Sequence, residues 1–93
     1  MEIKQLIMFQ TASKVQNFTK TAQILGYAQS SITANILALE EELGTPLFER
    51  LGKRVFLTEA GAFLQEYADK ILGLTEEALE VVGGIKEPSG ILR

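Results

Sequence analysis

The feature that most constrains this chain is a break in the helical rhythm of residues 19–39, which read TKTAQILGYAQSSITANILAL. Apolar residues at helical spacing lie on both sides of the break: Ala22 and Leu25 before it, and Ile32, Ile36 and Leu39 after it. Each set occupies one face of an α-helix. Because only Gly26 and Tyr27 separate the two rhythms, the sequence predicts two helices joined by a tight turn.

Local signals predict where the first three helices begin and end. Asn17 can cap the second helix, since its side-chain oxygen can accept a hydrogen bond from an N–H two or three residues on. Gly26 and Gly44 can adopt the positive φ that ends many helices, and Pro46 prevents continuation of the third. The predicted helices cover residues 3–15, about 17–26 and 29–43.

Two short strand-like runs follow, at residues 47–50 and 55–57, and they flank Gly52 and two basic residues. They predict a small hairpin with a charged tip. Thr58 can then cap a final helix, and Glu59 favours the positive end of its dipole.

The final helix carries an apolar seam whose members are spaced alternately four and three residues apart, the 3.5-residue period of a coiled coil. Its members are Ala60, Leu64, Tyr67, Ile71, Leu74, Ala78 and Val81. From the seam we predict dimerisation through Leu64, Tyr67, Ile71, Leu74, Ala78 and Val81. The alternative is that the stripe packs wholly on its own domain.

Composition narrows the function. The chain has neither Cys nor His, which argues against disulfides, the usual zinc sites and His-based catalysis. No nucleophile motif or glycine-rich phosphate loop appears either, so we expect no enzyme activity and no cofactor or metal. Neither a membrane-spanning run nor a signal peptide is apparent, which predicts a cytoplasmic protein that does not bind membranes.

Charge is distributed unevenly along the chain. The formal net charge is −3, which by itself argues against a nucleic-acid partner. However, residues 3–39 contain no acidic residue and three lysines, Lys4, Lys14 and Lys20. The acidic residues are concentrated after residue 58, so the front of the chain is mildly basic and its tail acidic.

Several motifs in a fixed order resemble those of one family. They are the FT-K-TA-ILGY segment at residues 18–27, Gln29, ALEEELGTPLFER at residues 38–50 and VFLTEAG at residues 55–61. Over essentially its whole length the chain resembles the N-terminal DNA-binding domain of LysR-type transcriptional regulators. The resemblance implies a mainly α fold: a winged helix-turn-helix of three helices plus a small β-hairpin wing, followed by a long dimerisation or linker helix. A periplasmic-binding-protein-like effector domain would come next.

The resemblance also implies the residues that bind DNA. Gln29, Ser30 and Thr33 occupy recognition-helix positions that face bases or nearby phosphates, and Asn35 lies close by. Arg50, Lys53 and Arg54 occupy the wing region, which meets the DNA backbone or minor groove. Thr19 and Lys20, from the first motif, complete the candidate set. Chemistry agrees, because Gln pairs with adenine, hydroxyls serve bases or phosphates, and cations hold phosphates.

Simpler interpretations of these residues remain open. Ser30, Ser31 and Thr33 are also what an ordinary solvent-facing helix surface contains, and a basic turn is often only solvated. The chain also departs from the family pattern, since Ala28 and Ser30 stand where the family commonly has Ser and Pro. Ala34 and Leu37 stand where Arg or Lys is frequent. Because these two cations are missing, we expect the preference for particular DNA sequences to depend on Gln29, on hydroxyl contacts and on DNA shape.

Together these features predict sequence-specific binding of double-stranded promoter or operator DNA as a homodimer. A tetramer is compatible with a full-length protein of this kind. The alternative function is a winged-helix protein-interaction module with a coiled-coil dimerisation arm. We divide the chain into a winged helix-turn-helix domain at 1–58, a linker and dimerisation helix at 59–87, and a hinge at 88–93 leading toward an effector domain.

Overall fold

The computed structural model describes residues 1–84, which form four helices and one two-stranded hairpin. In chain order these are α1 (Ile3–Val15), α2 (Phe18–Leu25), α3 (Gln29–Leu43), β1 (Phe48–Leu51), β2 (Arg54–Leu57) and α4 (Glu59–Gly84). The predicted order of elements is confirmed. The predicted end of the last helix at 87 and the hinge at 88–93 lie outside the described residues.

The helix ends follow the predicted local chemistry. Asn17 Oδ1 accepts a hydrogen bond from the Lys20 N–H at 2.8 Å, which caps α2. Gly26 and Gly44 adopt φ of 78° and 74°, so both helices end in the left-handed conformation that glycine tolerates. Thr58 Oγ1 accepts from the Gly61 N–H at 3.0 Å and caps α4.

Three phenylalanine rings mark the centre of the core. The Phe9 ring of α1 and the Phe18 ring of α2 each lie 5.4 Å from the Phe48 ring of β1, within the usual range for aromatic pairs. The core thus joins the helices to the hairpin. The other buried apolar side chains are Leu6, Met8, Ala12, Ala22, Ile32, Ile36, Leu39, Leu47, Val55, Leu64 and Ala68.

The hairpin is antiparallel, with Phe48 paired to Leu57 and Arg50 to Val55. Strand β1 begins and ends one residue later than predicted, and β2 begins one residue earlier. The Leu47 and Phe48 N–H groups both donate to Glu40 Oε2, at 2.7 and 3.3 Å. Glu40 thereby ties the end of α3 to the start of the wing.

Gln16 fixes where the wing sits relative to the helices. This residue lies between α1 and α2 with φ of 61°, in the left-handed region. Its carbonyl accepts the Val55 N–H at 3.1 Å, and its Oε1 accepts from Arg54 Nη2 at 2.6 Å. A junction in the first third of the chain therefore anchors β2.

Helix α4 begins inside the core and ends outside it. Leu64 and Ala68 are buried, and Ile71 and Leu72 pack partly against the same core. Leu64, which the seam predicts to serve dimerisation, is thus already enclosed by its own domain. Tyr67, Leu74, Ala78 and Val81 are exposed. Among residues 1–84, no helix combines the length and apolar character needed to cross a membrane.

The length of α4 explains this change along the seam. The last residue of α4 that packs against the core is Leu72, and the helix continues to Gly84. Its last twelve residues, at about 1.5 Å each, therefore extend beyond the rest of the domain.

Candidate nucleic-acid interface

Helix α3 has one buried face and one open face. Ile32, Ile36 and Leu39 point into the core. We call the opposite side the α3 outer face; it is formed by Gln29, Ser30, Thr33, Ala34 and Leu37. Gln29, Thr33 and Leu37 succeed one another at intervals of four residues, so they lie in a row about 12 Å long. In the described part of the chain, nothing covers this row.

A groove lies between the start of α2, the start of α3 and the wing. We call it the wing groove. Three cationic side chains border it, Lys20 of α2 and Arg50 and Lys53 of the wing, and Thr19 and Gln29 line it as well. Since Gln29 belongs to both surfaces, the α3 outer face and the wing groove form one continuous surface. Such a surface can offer cations to phosphates and polar side chains to bases.

Thr19 and Gln29 are joined directly. The Thr19 hydroxyl donates to Gln29 Oε1 at 2.9 Å. The contact fixes the carboxamide of a long side chain and leaves both Nε2 hydrogens free. The oxygen keeps a second lone pair, so the amide can still donate and accept as an adenine edge requires.

Arg50 and Lys53 of the wing each contact the start of α2. The Arg50 guanidinium lies 5.2 Å from the centroid of the Phe18 ring, within the range of a cation–π contact. The Lys53 carbonyl accepts from Asn17 Nδ2 at 3.4 Å, which links the tip of the wing to the cap of α2. The wing is therefore docked against α2.

Arg54 is not brought together with the other cations. In the hairpin register it is paired with Leu51, whereas Arg50 is paired with Val55, so Arg54 and Arg50 project from opposite faces. Arg54 donates to Gln16 and its guanidinium lies 5.1 Å from the Phe56 ring centroid.

Asn35 is also separated from the candidate site. Its Oδ1 accepts from Gln5 Nε2 at 3.3 Å, and its Nδ2 donates to the Ser31 carbonyl at 2.8 Å. At about 100° per residue, Asn35 lies roughly 160° around the helix from Thr33. The half-buried amide of Asn35 therefore joins α3 to α1, on the side of the helix away from the α3 outer face.

Two residues of the outer face were missing from the predicted set, Ala34 and Leu37. The sequence does contain a signal for Leu37, because it is out of phase with the buried apolar series of the same helix. No charged residue occurs between Lys20 and Glu40, so the outer face is uncharged. Within residues 1–84 there is also no group of His, Cys, Asp or Glu arranged to hold a metal ion.

Comparison with known proteins gives several relatives. The chain is 58% identical over 93 residues to the uncharacterized HTH-type transcriptional regulator YwqM of Bacillus subtilis (strain 168), covering all of this chain and 32% of that protein. It is 46% identical over 85 residues to the HTH-type transcriptional regulator BudR of Klebsiella aerogenes, covering 91% of this chain and 59% of that protein. The chain therefore spans about a third of YwqM and more than half of this BudR sequence.

Solved structures share the fold. The DNA-binding domain of BenM in complex with benA site 1 DNA has a TM-score of 0.86 and 36% identity, covering 91% of this chain and 99% of that one. The DNA-binding domain of CbnR in complex with DNA has a TM-score of 0.87 and 32% identity, covering 94% of this chain and all of that one. This agreement shows that the fold is that of a winged helix-turn-helix DNA-binding domain.

A family model describes most of the folded core. Residues 3–62 match the model of the bacterial regulatory helix-turn-helix proteins of the lysR family. The match runs from the first residue of α1 through the wing and into the first turn of α4, and so includes the α3 outer face and the wing groove. The chain therefore belongs to the lysR family of bacterial regulatory helix-turn-helix proteins.

Proposed function

We propose that this chain binds double-stranded DNA as a dimer and is the DNA-binding part of a transcriptional regulator. The observation that carries the proposal is the uncovered α3 outer face bordered by Lys20, Arg50 and Lys53. An open helix beside a cluster of cations suits a duplex, whose edges are phosphates and whose groove presents base edges. Two solved relatives of the same fold are DNA complexes, which supports this choice.

In this proposal the start of α3 enters the major groove, as the second helix of a helix-turn-helix does. Gln29 pairs with an adenine edge, and Ser30 and Thr33 contact bases or phosphates. Lys20, Arg50 and Lys53 hold the DNA backbone beside the start of α3. In this proposal Asn35 has a structural role, and Arg54 does not contact phosphate because it lies on the other face of the wing and donates to Gln16.

Dimerisation through α4 and the division of the chain at residue 58 are part of the same proposal. The exposed members of the seam provide the apolar surface that a second copy can cover. The first turns of α4 nevertheless pack within the winged domain, because Leu64 and Ala68 belong to its core. As a DNA-binding regulator, the protein would act in the cytoplasm and by binding rather than by catalysis.

A DNA titration at two salt concentrations tests the proposal. The wild-type chain should bind duplex DNA with an affinity that falls steeply as salt rises. Replacing Lys20 and Lys53 together by Ala should weaken binding to all duplexes similarly. It should also reduce the slope of log affinity against log salt by about two, because each phosphate that a cation neutralises contributes roughly 0.9 to that slope.

Arg54→Ala is the matched control, because it removes a wing cation from the face opposite the groove. We expect it to leave the salt slope nearly unchanged. If the double variant kept the wild-type slope, the wing groove would not be the phosphate-binding surface. If the chain bound no duplex at either salt concentration, the alternative of a winged-helix protein-interaction module would be favoured instead.

A further inference from the structure

We propose that the α3 outer face selects A·T base pairs, with Ala34 and Leu37 packing against thymine C5 methyl groups in the major groove. The inference rests on the proposed DNA binding and adds the class of duplex that the surface fits. It assigns a specificity role to two residues that carry no polar side chain.

The exposure of Leu37 is the first observation. Its side chain is 54% exposed, whereas Ile32, Ile36 and Leu39 of the same helix are at most 2% exposed. Leu37 lies in the same row as Gln29 and Thr33, and Ala34 is beside it. The exposed side chains of Ala34 and Leu37 therefore form an apolar strip beside the half-buried Thr33, and no part of residues 1–84 covers the two exposed side chains.

The chemistry of the major groove supplies the match for this strip. Thymine presents a C5 methyl group there, whereas guanine presents the N7 and O6 acceptors that Arg or Lys most often contacts. The outer face has no cation, because residues 21–39 carry no charge. It offers an amide for adenine at Gln29 and apolar groups for thymine, so A·T pairs suit it better than G·C pairs.

The cations near the strip indicate that it binds DNA and not an apolar protein segment. Lys20, Arg50 and Lys53 border one end of the surface through the wing groove. Glu41, one turn beyond Leu37, is exposed, and its carboxylate would repel phosphates. Base contacts are thus confined to the row from Gln29 to Leu37. Its length of about 12 Å corresponds to three or four base-pair steps of about 3.4 Å.

The test replaces single thymines by deoxyuridine, which lacks the C5 methyl group. Duplexes that bind the 93-residue chain are first selected from a random pool, and we expect the selected half-sites to be rich in A·T pairs. Affinity is then measured on the selected duplex with thymine or uracil at each position. At the contacted positions the wild-type chain should bind the uracil duplex about fourfold more weakly, from the transfer free energy of one methyl group.

Substitutions in α3 show which side chain causes the difference in affinity between thymine and uracil duplexes. Leu37→Ala should bind the thymine duplex more weakly and abolish the difference between thymine and uracil at one position. Leu43→Ala is the matched control, because Leu43 is an exposed leucine of the same helix that does not line the outer face. It should retain the full difference. Thermal melting by circular dichroism verifies that both variants are folded.

Two results would overturn the inference without affecting the proposed function. One is selection of G·C-rich half-sites, and the other is equal affinity of the wild-type chain for thymine and uracil duplexes at every position. In both cases salt-dependent binding of duplex DNA would still stand. Failure to bind any duplex would overturn the proposed function and this inference together.

Discussion

At the scale of single residues, the contact between Thr19 and Gln29 links the two helices of the helix-turn-helix at the site itself. The hydroxyl of α2 holds the amide of α3 at 2.9 Å before any ligand arrives. A glutamine side chain has several rotatable bonds, and immobilising it on binding costs free energy. Thr19 therefore acts as a positioning residue for Gln29 in the proposed function.

Substitutions at these two positions test that role. Gln29→Ala should cost roughly 1–3 kcal/mol on a selected duplex and far less on random DNA, because only the selected duplex presents the matching base edge. Thr19→Val keeps the shape of the side chain and removes its hydroxyl. It should cost roughly 0.5–1.5 kcal/mol on the selected duplex, the value of one hydrogen bond. Equilibrium titrations on both duplexes measure these differences.

A double-mutant cycle separates positioning from a direct phosphate contact. In the Gln29→Ala background, Thr19→Val should have little further effect on the affinity for the selected duplex. In the wild-type background, Thr19→Ser keeps the hydroxyl and should bind that duplex as tightly as the wild type. If Thr19→Val weakened selected and random duplexes by the same factor, Thr19 would contact the backbone and would not position Gln29.

At the scale of elements, the seating of α4 on the wing depends on Gly61. Gly61 is buried, and a Cβ at this position would overlap the carbonyl oxygen of Leu47. The same carbonyl accepts the Thr58 N–H at 3.0 Å. Because this oxygen belongs to the backbone and is already hydrogen-bonded, it cannot move away cheaply.

A pair of glycine substitutions in α4 tests this close approach. Gly61→Ala should lower the free energy of unfolding by about 1–3 kcal/mol, the usual cost of forcing extra atoms into a packed core. Gly73→Ala is the control, since nothing lies near an added Cβ there. It should raise the stability by about 0.5–1 kcal/mol through helix propensity. Urea denaturation measures both, and an unchanged stability for Gly61→Ala would contradict the seating described here.

At the scale of the whole molecule, the second half of α4 presents apolar surface to solvent. Leu74 and Val81 are 64% and 63% exposed, and Leu79 on the neighbouring face is 70% exposed. Contiguous apolar surface of this kind usually marks an interface. The exposed part of the seam, past the core, is where we expect a second copy to bind.

Replacing Leu74 and Val81 together by Glu should convert the chain to a monomer whose winged domain is still folded, because both side chains are remote from the core. Ile71 is unsuitable for this test, since it packs partly against its own domain. Sedimentation at high micromolar concentration checks the prediction, and a monomeric wild type would contradict it.

Local signals in the sequence were sufficient to predict the elements of this fold. These signals are the apolar spacing of the helices, the Asn17 and Thr58 caps, and the glycines at 26 and 44. Each acts over a few residues, so it can be recognised without knowledge of the tertiary contacts. The helix-turn-helix, the wing and α4 were all predictable in this way. Three of the four strand ends differed from the prediction by one residue, because the ends of a hairpin depend on the pairing of its two strands, here Phe48 with Leu57 and Leu51 with Arg54.

The composition of the candidate site was decided only by the tertiary structure. Arg54 and Arg50 look alike in sequence, but the hairpin register and the Gln16 contact send them to opposite faces. Asn35 is turned toward Gln5, thirty residues away in the chain. Leu64 is buried while Tyr67 is exposed, although both belong to the same apolar seam of α4. Such differences depend on contacts between segments far apart in sequence, and local periodicity carries no information about them.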